Sequence, residues 1–397
     1  MITINQLSRI KNINGKDLIS IFPFVVAVAL SPFFKKKNKT IWMISDREDE
    51  AADNGYSFYK YLRKHQIDQD VVFVIDPNCG DYEKVASLGK VIPFGSLKHW
   101  ILYLTCQYNI SSQGGQPNSY LCTFLEKIGL IKSRNIFLQH GITKDYAEYL
   151  LPNRRYFETF IAGAKPEFDY VSQTFGYKPG TVQYTGFSRF DDLHDFEAKK
   201  NRILIMPTWR SWLKLRSVKE VGLENSIDDS EYLRVWTSFI NSPRLEKLVK
   251  QYGLEVIFFP HSNFQPYLSK FSTTKDYVVI ASKKNYSVQE LLKTSEVLIT
   301  DYSSVFFDMA YMKKMSLFYQ FDEEKYRGNH YKQGWFNYHA SAFGKFAKTE
   351  TELLDAFENI VAKHFRVADE FEVEHQRTFP LYDSQNSERI YRYLQSK

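Results

Sequence analysis

Short apolar runs bounded by polar turn residues recur along this chain, and most are followed by a stretch with helical spacing. In the first half, 40–44, 71–75, 90–93, 108–111, 135–138 and 159–162 read as strands. Between them, 55–64, 82–88, 97–105 and 167–175 read as helices. The alternation restarts with strands at 202–206, 254–259, 277–280, 296–300 and 315–319, and helices at 231–252, 287–293, 353–364 and 384–395. The polar stretch 211–230 reads as a loop. This rhythm predicts an α/β chain whose parallel sheets carry helices on both faces. The two series meet near 190–201, and 397 residues are too many for one ordinary core. The expected organisation is an N-terminal segment over 1–39, one α/β unit over 40–195, a second over 196–375 and a terminal helix over 376–397.

In open α/β sheets, ligands bind beyond the carboxyl ends of the strands. The residues at those ends are therefore the candidates for chemistry. The most informative end is Leu298-Ile299-Thr300-Asp301-Tyr302-Ser303-Ser304, where a buried strand runs straight into a helical pattern. The first amides of a helix lack partners and carry partial positive charge, and Ser303 and Ser304 add hydroxyl donors, so the junction suits a phosphate. Asp301 or Ser303 serving only as an N-cap is the simpler alternative. His140, after Ile136-Phe137-Leu138 and before Gly141, could take a proton from a hydroxyl, or could bond a neighbouring carbonyl. His261, after Ile257-Phe258-Phe259-Pro260, could hold or protonate a phosphate, with Asn263 as a second donor. Arg210, closing Pro207-Thr208-Trp209-Arg210, could clamp phosphate bidentately, and Arg189 could do the same near the junction of the units. A surface ion pair is the alternative for Arg210. Asp308 could bind a ribose or donor hydroxyl, or face solvent. The segment from Asp46 and Arg47 to Asn54 follows a strand and is a candidate acceptor-side loop.

Composition narrows the partners. A formal charge of +6 suits polyanionic substrates or an anionic membrane surface, but falls short of a nucleic-acid binder. Cys79, Cys106 and Cys122 are scattered and include no CxxC, which argues against a disulfide scaffold or a zinc site. No HExxH, no GxxxxGK[ST] and no DxD flanked by apolar strand residues is present, so no metal site is expected; phosphate charge would be met by helix ends, hydroxyls, His and Arg. Residues 18–34 are apolar apart from Ser20 and Ser31, contain Pro23 and Pro32, and run into Lys35-Lys36-Lys37. This reads as an interfacial membrane helix, with a buried helix of the first unit or a span or signal as alternatives.

Taken in order, Asp46-Arg47-Glu48-Asp49-Glu50-Ala51-Ala52-Asp53-Asn54-Gly55-Tyr56, Gln139-His140-Gly141, Gly186-Phe187-Ser188-Arg189-Phe190-Asp191, Pro207-Thr208-Trp209-Arg210, Pro260-His261 and Thr300 to Asp308 closely resemble the CDP-glycerol glycerophosphotransferase family, the teichoic-acid primases and polymerases. The resemblance covers roughly 40–365. It implies a GT-B fold, with the site between two Rossmann-like domains. It also implies transfer of glycerol phosphate or ribitol phosphate from CDP-glycerol or CDP-ribitol to an acceptor hydroxyl, with release of CMP and no metal or other cofactor. By the resemblance, His140 is the proton acceptor, His261, Ser303 and Ser304 hold the pyrophosphate, and Asp308 lies near the donor. Thr208, Arg210 and Asn263 are further pyrophosphate candidates, Asp301, Gly186 and Arg189 nucleotide or polyol candidates, and Asp46, Arg47, Asn54 and Gly141 acceptor-side candidates. The implied partners are a CDP-polyol, a lipid-linked or polymer glycan acceptor and the cytoplasmic face of an anionic membrane. A GT-B glycosyltransferase using a nucleotide sugar and a non-catalytic polymer-binding scaffold are the competing readings.

Overall fold

The computed structural model describes residues 15–113, 131, 134–196, 198–199, 201–213 and 227–397, with side chains from residue 21 onward. Two parallel sheets organise them. The first joins β1 (Trp42–Ser45), β2 (Val71–Ile75), β3 (Val91–Pro93), β4 (Tyr108–Ser111), β5 (Asn135–Phe137), β6 (Thr159–Ala162) and β7 (Val182–Tyr184) in the order β3-β2-β1-β4-β5-β6-β7. The second joins β8 (Arg202–Met206), β9 (Glu255–Phe258), β10 (Val278–Ile280), β11 (Val297–Thr300), β12 (Ser316–Tyr319) and β13 (Gly344–Ala347) in the order β10-β9-β8-β11-β12-β13. In each sheet the chain starts at the centre, builds one side and then crosses to the other. That reversal leaves a crevice between β1 and β4, and another between β8 and β11.

The helices, in chain order, are α1 (Gly15–Asn38), α2 (Asn54–Lys64), α3 (Tyr82–Ala86), α4 (Leu97–Thr105), α5 (Lys165–Thr174), α6 (Glu231–Ile240), α7 (Pro243–Tyr252), α8 (Val288–Thr294), α9 (Phe306–Tyr311), α10 (Glu323–Asn329), α11 (Glu350–Ala362), α12 (Asp369–Thr378) and α13 (Asn386–Gln395). The central strands β1, β2, β4, β8 and β11 are buried along their whole length, because helices cover both faces. This is why they stand out as unbroken apolar runs.

The elements missing from the sequence reading are of two kinds. Strands β7 and β13 are sheet edges, three and four residues long, and each is only partly buried, so neither forms an apolar run. Helices α10 and α12 are largely polar and show no clear apolar stripe. The helix expected over 231–252 is two helices. Pro243 has no amide hydrogen to continue the first, and Ser242 caps the second by accepting from the Leu245 amide. Of the loop expected over 211–230, residues 214–226 lie outside the described residues, as does Cys122.

The apolar N-terminal segment belongs to the 24-residue helix α1, which docks on α4. Phe24 meets Trp100 with ring centroids 5.0 Å apart, and Asn38 donates to Thr105 at 2.8 Å. Phe22, Val25 and Phe33 on the same helix remain exposed, at 77%, 58% and 81%. Among the described residues no helix is long and apolar enough to cross a membrane.

The C-terminal helix α13 returns to the first unit. The Asp191 carboxylate accepts from the Asn386 and Ser387 amides at 2.8 Å each, Arg389 donates to the Thr185 carbonyl, and Tyr391 packs on Trp42. Gly186 sits at this crossing with φ +78°, where a Cβ would overlap the Asn386 side-chain amide. Its glycine therefore serves a close backbone approach. It does not line the cleft, contrary to the nucleotide-binding role expected for it.

Candidate active site

The carboxyl ends of the two sheets face each other across a cleft of about 340 Å³, within the size range of small-ligand sites. Asp46, Arg47, Asp53, His140, Gly141 and Arg189 line it from the first unit. Thr208, His261, Ser303, Ser304 and Asp308 line it from the second.

The first wall is built on two anchored loops. After β1, the Asp46 carboxylate accepts from the amides of Asp53 (3.1 Å), Gly55 (2.8 Å) and Tyr56 (2.9 Å) and from the Ser112 hydroxyl (2.7 Å). Burial, followed by the nearby Asp53 charge, pushes its pKa up to about 7. Asp46 thus acts as the fastening of its loop. Asn54 is fully buried and is also a fastener, not an acceptor ligand. Its amide donates to the Gln139 carbonyl at 2.8 Å and accepts from the Arg189 amide at 3.1 Å.

After β5, Gln139 takes a left-handed conformation with φ +61°, unusual for a residue with a side chain. What holds it there is Glu167, in the first turn of α5. Its carboxylate accepts from the Thr143, Gly163 and Ala164 amides and from the Gln139 side chain at 3.0 Å, while Gln139 also reaches the Ile161 carbonyl at 2.6 Å. Burial raises the Glu167 pKa to about 7. The twist at Gln139 turns His140 out of the strand and into the cleft, where its side chain is accessible. Enclosure by the surrounding protein lowers the His140 pKa; the Asp53 charge opposes this, and the Arg47 and Arg189 charges reinforce it. A neutral imidazole is the form that can accept a proton.

Sequence reasoning gave Glu167 no role. Its position two residues after the Asn-free turn Gly163-Ala164-Lys165 and next to Pro166 marks a helix start. Its reach to the neighbouring loop depends on β6 lying beside β5, which the sequence does not state.

On the second wall, the His261 amide donates to the Pro207 carbonyl at 3.1 Å, and its Nδ1 accepts from the Asn263 amide at 3.2 Å. The ring proton therefore sits on Nε2. Burial, with the Arg47, His140 and His330 charges, brings its pKa down to about 3, so His261 is a neutral donor rather than an imidazolium. Asn263 contributes that backbone amide; its side chain is exposed and outside the cleft lining. Thr208 lines the cleft, and its hydroxyl is buried without a partner among the described residues.

Two expected ligands are instead structural. Arg210 is fully buried. It donates to Asp322 at 2.7 and 3.0 Å and to the Thr208 carbonyl at 2.7 Å, and pairs with Asp301 at 2.8 Å. The rings of Tyr302, Tyr232 and Tyr326 enclose the guanidinium. Burial works against its charge, but Asp301 and Asp322 outweigh that and raise its pKa. Asp301, also fully buried, accepts from the Thr208 and Tyr302 amides. Neither side chain reaches the cleft. Together they brace the loops that carry Thr208, Ser303 and Ser304.

The two walls touch. A Cβ on Gly141 would lie 2.6 Å from the Ser304 hydroxyl, so only glycine lets the histidine loop approach the serine loop this closely. Arg189 of the first unit makes a buried bidentate pair with Asp308 of the second, 2.8 Å for each bond, and reaches Asp53 at 3.2 Å. Arg327 pairs with Asp145 at 2.6 Å, and Trp335 donates to the Thr143 carbonyl at 3.0 Å. Arg189 and Asp308 thus line the cleft as a mutually satisfied pair.

Two facing parallel sheets with a shared cleft at their carboxyl ends define a GT-B-type α/β protein. The chain superposes on the solved wall teichoic acid polymerase TagF with a TM-score of 0.65 at 16% identity, covering 99% of this chain and 98% of that one. It also superposes on the UDP-GlcNAc 2-epimerase of Methanocaldococcus jannaschii, with a TM-score of 0.53 at 11% identity over 90% of this chain and 99% of that one. At these identities the likeness speaks for the fold. Residues 26–396 match the family model described as CDP-Glycerol:Poly(glycerophosphate) glycerophosphotransferase, and the chain belongs to that family. It is 32% identical over 360 residues to the minor teichoic acid biosynthesis protein GgaB of Bacillus subtilis (strain 168), a match covering 89% of this chain and 39% of GgaB. It is 24% identical over 390 residues to the teichoic acid poly(glycerol phosphate) polymerase of the same strain, covering 89% of this chain and 48% of the polymerase. The chain therefore spans between about two fifths and half of these relatives. The teichoic acid glycerol-phosphate transferase of Staphylococcus aureus (strain NCTC 8325 / PS 47), 22% identical, is matched over 93% of its length.

Arg210→Ala strands two buried carboxylates, so it is expected to cost about 3–5 kcal/mol of stability, read from urea unfolding. A phosphate ligand would instead leave stability intact and weaken binding. Because the His140 pKa is lowered from 6.5, its imidazole becomes half-protonated only below that value. The acid limb of kcat/KM is therefore expected below pH 6.5, with a flat rate from 7 to 8 as far as His140 controls it; a limb centred above 7 would contradict this assignment.

Proposed function

We propose that this protein transfers glycerol phosphate or ribitol phosphate from a CDP-polyol to an acceptor hydroxyl, in the synthesis of teichoic acid, a capsule or a related cell-surface polymer. The observation that carries the reading is the approach of Gly141 to Ser304, which sets a neutral imidazole opposite paired serine hydroxyls across one cleft. In the step, the acceptor oxygen bonds to the phosphorus bearing the polyol, and its proton passes to His140. The bond from that phosphorus to the bridging oxygen breaks, its electron pair leaves with CMP, and a phosphodiester results. Ser303, Ser304, Thr208 and the Nε2–H of His261 are donors for the pyrophosphate oxygens. On this reading the chain itself supplies the charge stabilisation, with no metal required.

We further propose that the protein works on the cytoplasmic face of the membrane, on a lipid-linked or polymer glycan acceptor. The exposed Phe22, Val25 and Phe33 of α1, beside exposed Lys35, Lys36 and Lys37, support peripheral attachment to an anionic leaflet.

Incubation with CDP-glycerol, CDP-ribitol and UDP-sugars on a lipid-linked acceptor should release CMP from a CDP-polyol and nothing from UDP-sugars. Turnover of a UDP-sugar alone would favour a glycosyltransferase. His140→Ala should lower kcat by on the order of 10²-fold or more, and unchanged polymer production would favour a scaffold. Replacing Phe22 and Phe33 together by Ser should reduce co-flotation with phosphatidylglycerol-containing vesicles by about tenfold, given the apolar area withdrawn; undiminished flotation would place the attachment elsewhere.

A further inference from the structure

With Arg210 enclosed by Asp301 and Asp322, the phosphotransfer reading lacks the guanidinium expected of it. Transfer of a phosphoryl group concentrates negative charge on its non-bridging oxygens, and something in the cleft must meet that charge. Among the described residues the cations lining the cleft are Arg47, Lys144, Arg189 and Lys283. Arg189 is held by Asp308 and Asp53. Lys144 is buried against Asp145, which Arg327 also engages. Lys283 is half exposed and lies 3.5 Å from Asp49.

Arg47 differs from all three. It makes no ion pair among the described residues, and it is exposed on the cleft wall. It lines the same cleft as His140 on one wall and His261 on the other, and its charge acts on both rings. Its backbone is fixed from both sides. Asp46 before it is tied down by three amides and Ser112, and Arg47 itself forms an antiparallel bridge with Glu50. The carboxylate beside it is Glu50. Burial holds Glu50 above the usual carboxylate range, with Arg47 opposing that shift.

We propose that Arg47, from the first unit, reaches across the cleft to clamp the non-bridging oxygens of the phosphoryl group in transit, and so fills the role that Arg210 cannot. A guanidinium presents paired N–H donors that match two phosphate oxygens. Because the pyrophosphate donors Ser303, Ser304 and His261 belong to the other unit, this clamp is complete only where the two units meet. It therefore acts on the transferring group more than on the nucleotide. The proposal rests on the phosphotransfer reading and gives Arg47 a donor-phosphate role instead of the acceptor-side one.

The test compares wild type, Arg47→Ala and Arg47→Lys by calorimetry with CMP and with CDP, and by turnover of the CDP-polyol. Arg47→Ala should leave CMP affinity within about twofold, weaken CDP about tenfold and lower kcat by on the order of 10²-fold. Arg47→Lys should recover part of the CDP affinity and less of kcat, since an ammonium supplies charge without the fork. Unaltered CDP affinity and kcat in Arg47→Ala, or an effect confined to the acceptor KM, would overturn the proposal while leaving phosphotransfer standing. Failure of the wild type to bind CDP or release CMP would overturn both.

Discussion

The buried pair between Arg189 and Asp308 fixes how the two halves of this protein meet. Each half is built around its own parallel sheet, but a shared cleft needs the carboxyl ends in one orientation. A bidentate guanidinium–carboxylate pair is directional, and burying two charges is tolerable only when both bonds form. Removing Arg189 leaves the buried Asp308 carboxylate without its partner, worth about 3–5 kcal/mol of destabilisation. The pair therefore selects one docking of the halves. In that docking Gly141 lies against Ser304, and the two histidine loops share one space.

Around this contact, ionisable groups divide into those that hold and those that face the cleft. Asp46, Glu167, Asp301 and Arg210 spend their hydrogen bonds within the protein, on backbone groups and neighbouring side chains, and the loops they secure carry Arg47, His140, Thr208 and Ser303. Rigid support of this kind holds the donors of the cleft in fixed positions before any ligand arrives, so little reorganisation is left for binding. The left-handed Gln139 is the clearest sign of it. A conformation that costs on the order of 1 kcal/mol or more survives because Glu167 and the Ile161 carbonyl hold the side chain.

Much of this was legible in the sequence, for an identifiable reason. Central strands buried on both faces print as apolar runs, and their ends therefore point to His140, His261, Thr208, Ser303 and Ser304, all of which line the cleft. The edge strands β7 and β13 left no such print. The errors share one cause. Arg210, Asp301 and Gly186 lie within a few residues of strand ends just as the cleft residues do, and Asn54 closes the loop after one; only the three-dimensional neighbours separate a side chain that turns inward from one that faces a ligand. Asp322, which captures Arg210, is over a hundred positions away in the chain. Asn386, which demands a glycine at 186, is two hundred away. Periodicity cannot report pairings of that range.

The return of the last helix to the first half has a mechanical consequence. The chain passes between the halves once after Leu193 and again before Asn386, and Asp191 ties the two passages together. A body joined by one strand can swing freely or drift apart, whereas two adjacent tethers act as a hinge pin. Any relative movement of the halves is thereby confined to rotation about these paired crossings, which keeps the loops of the two walls in register.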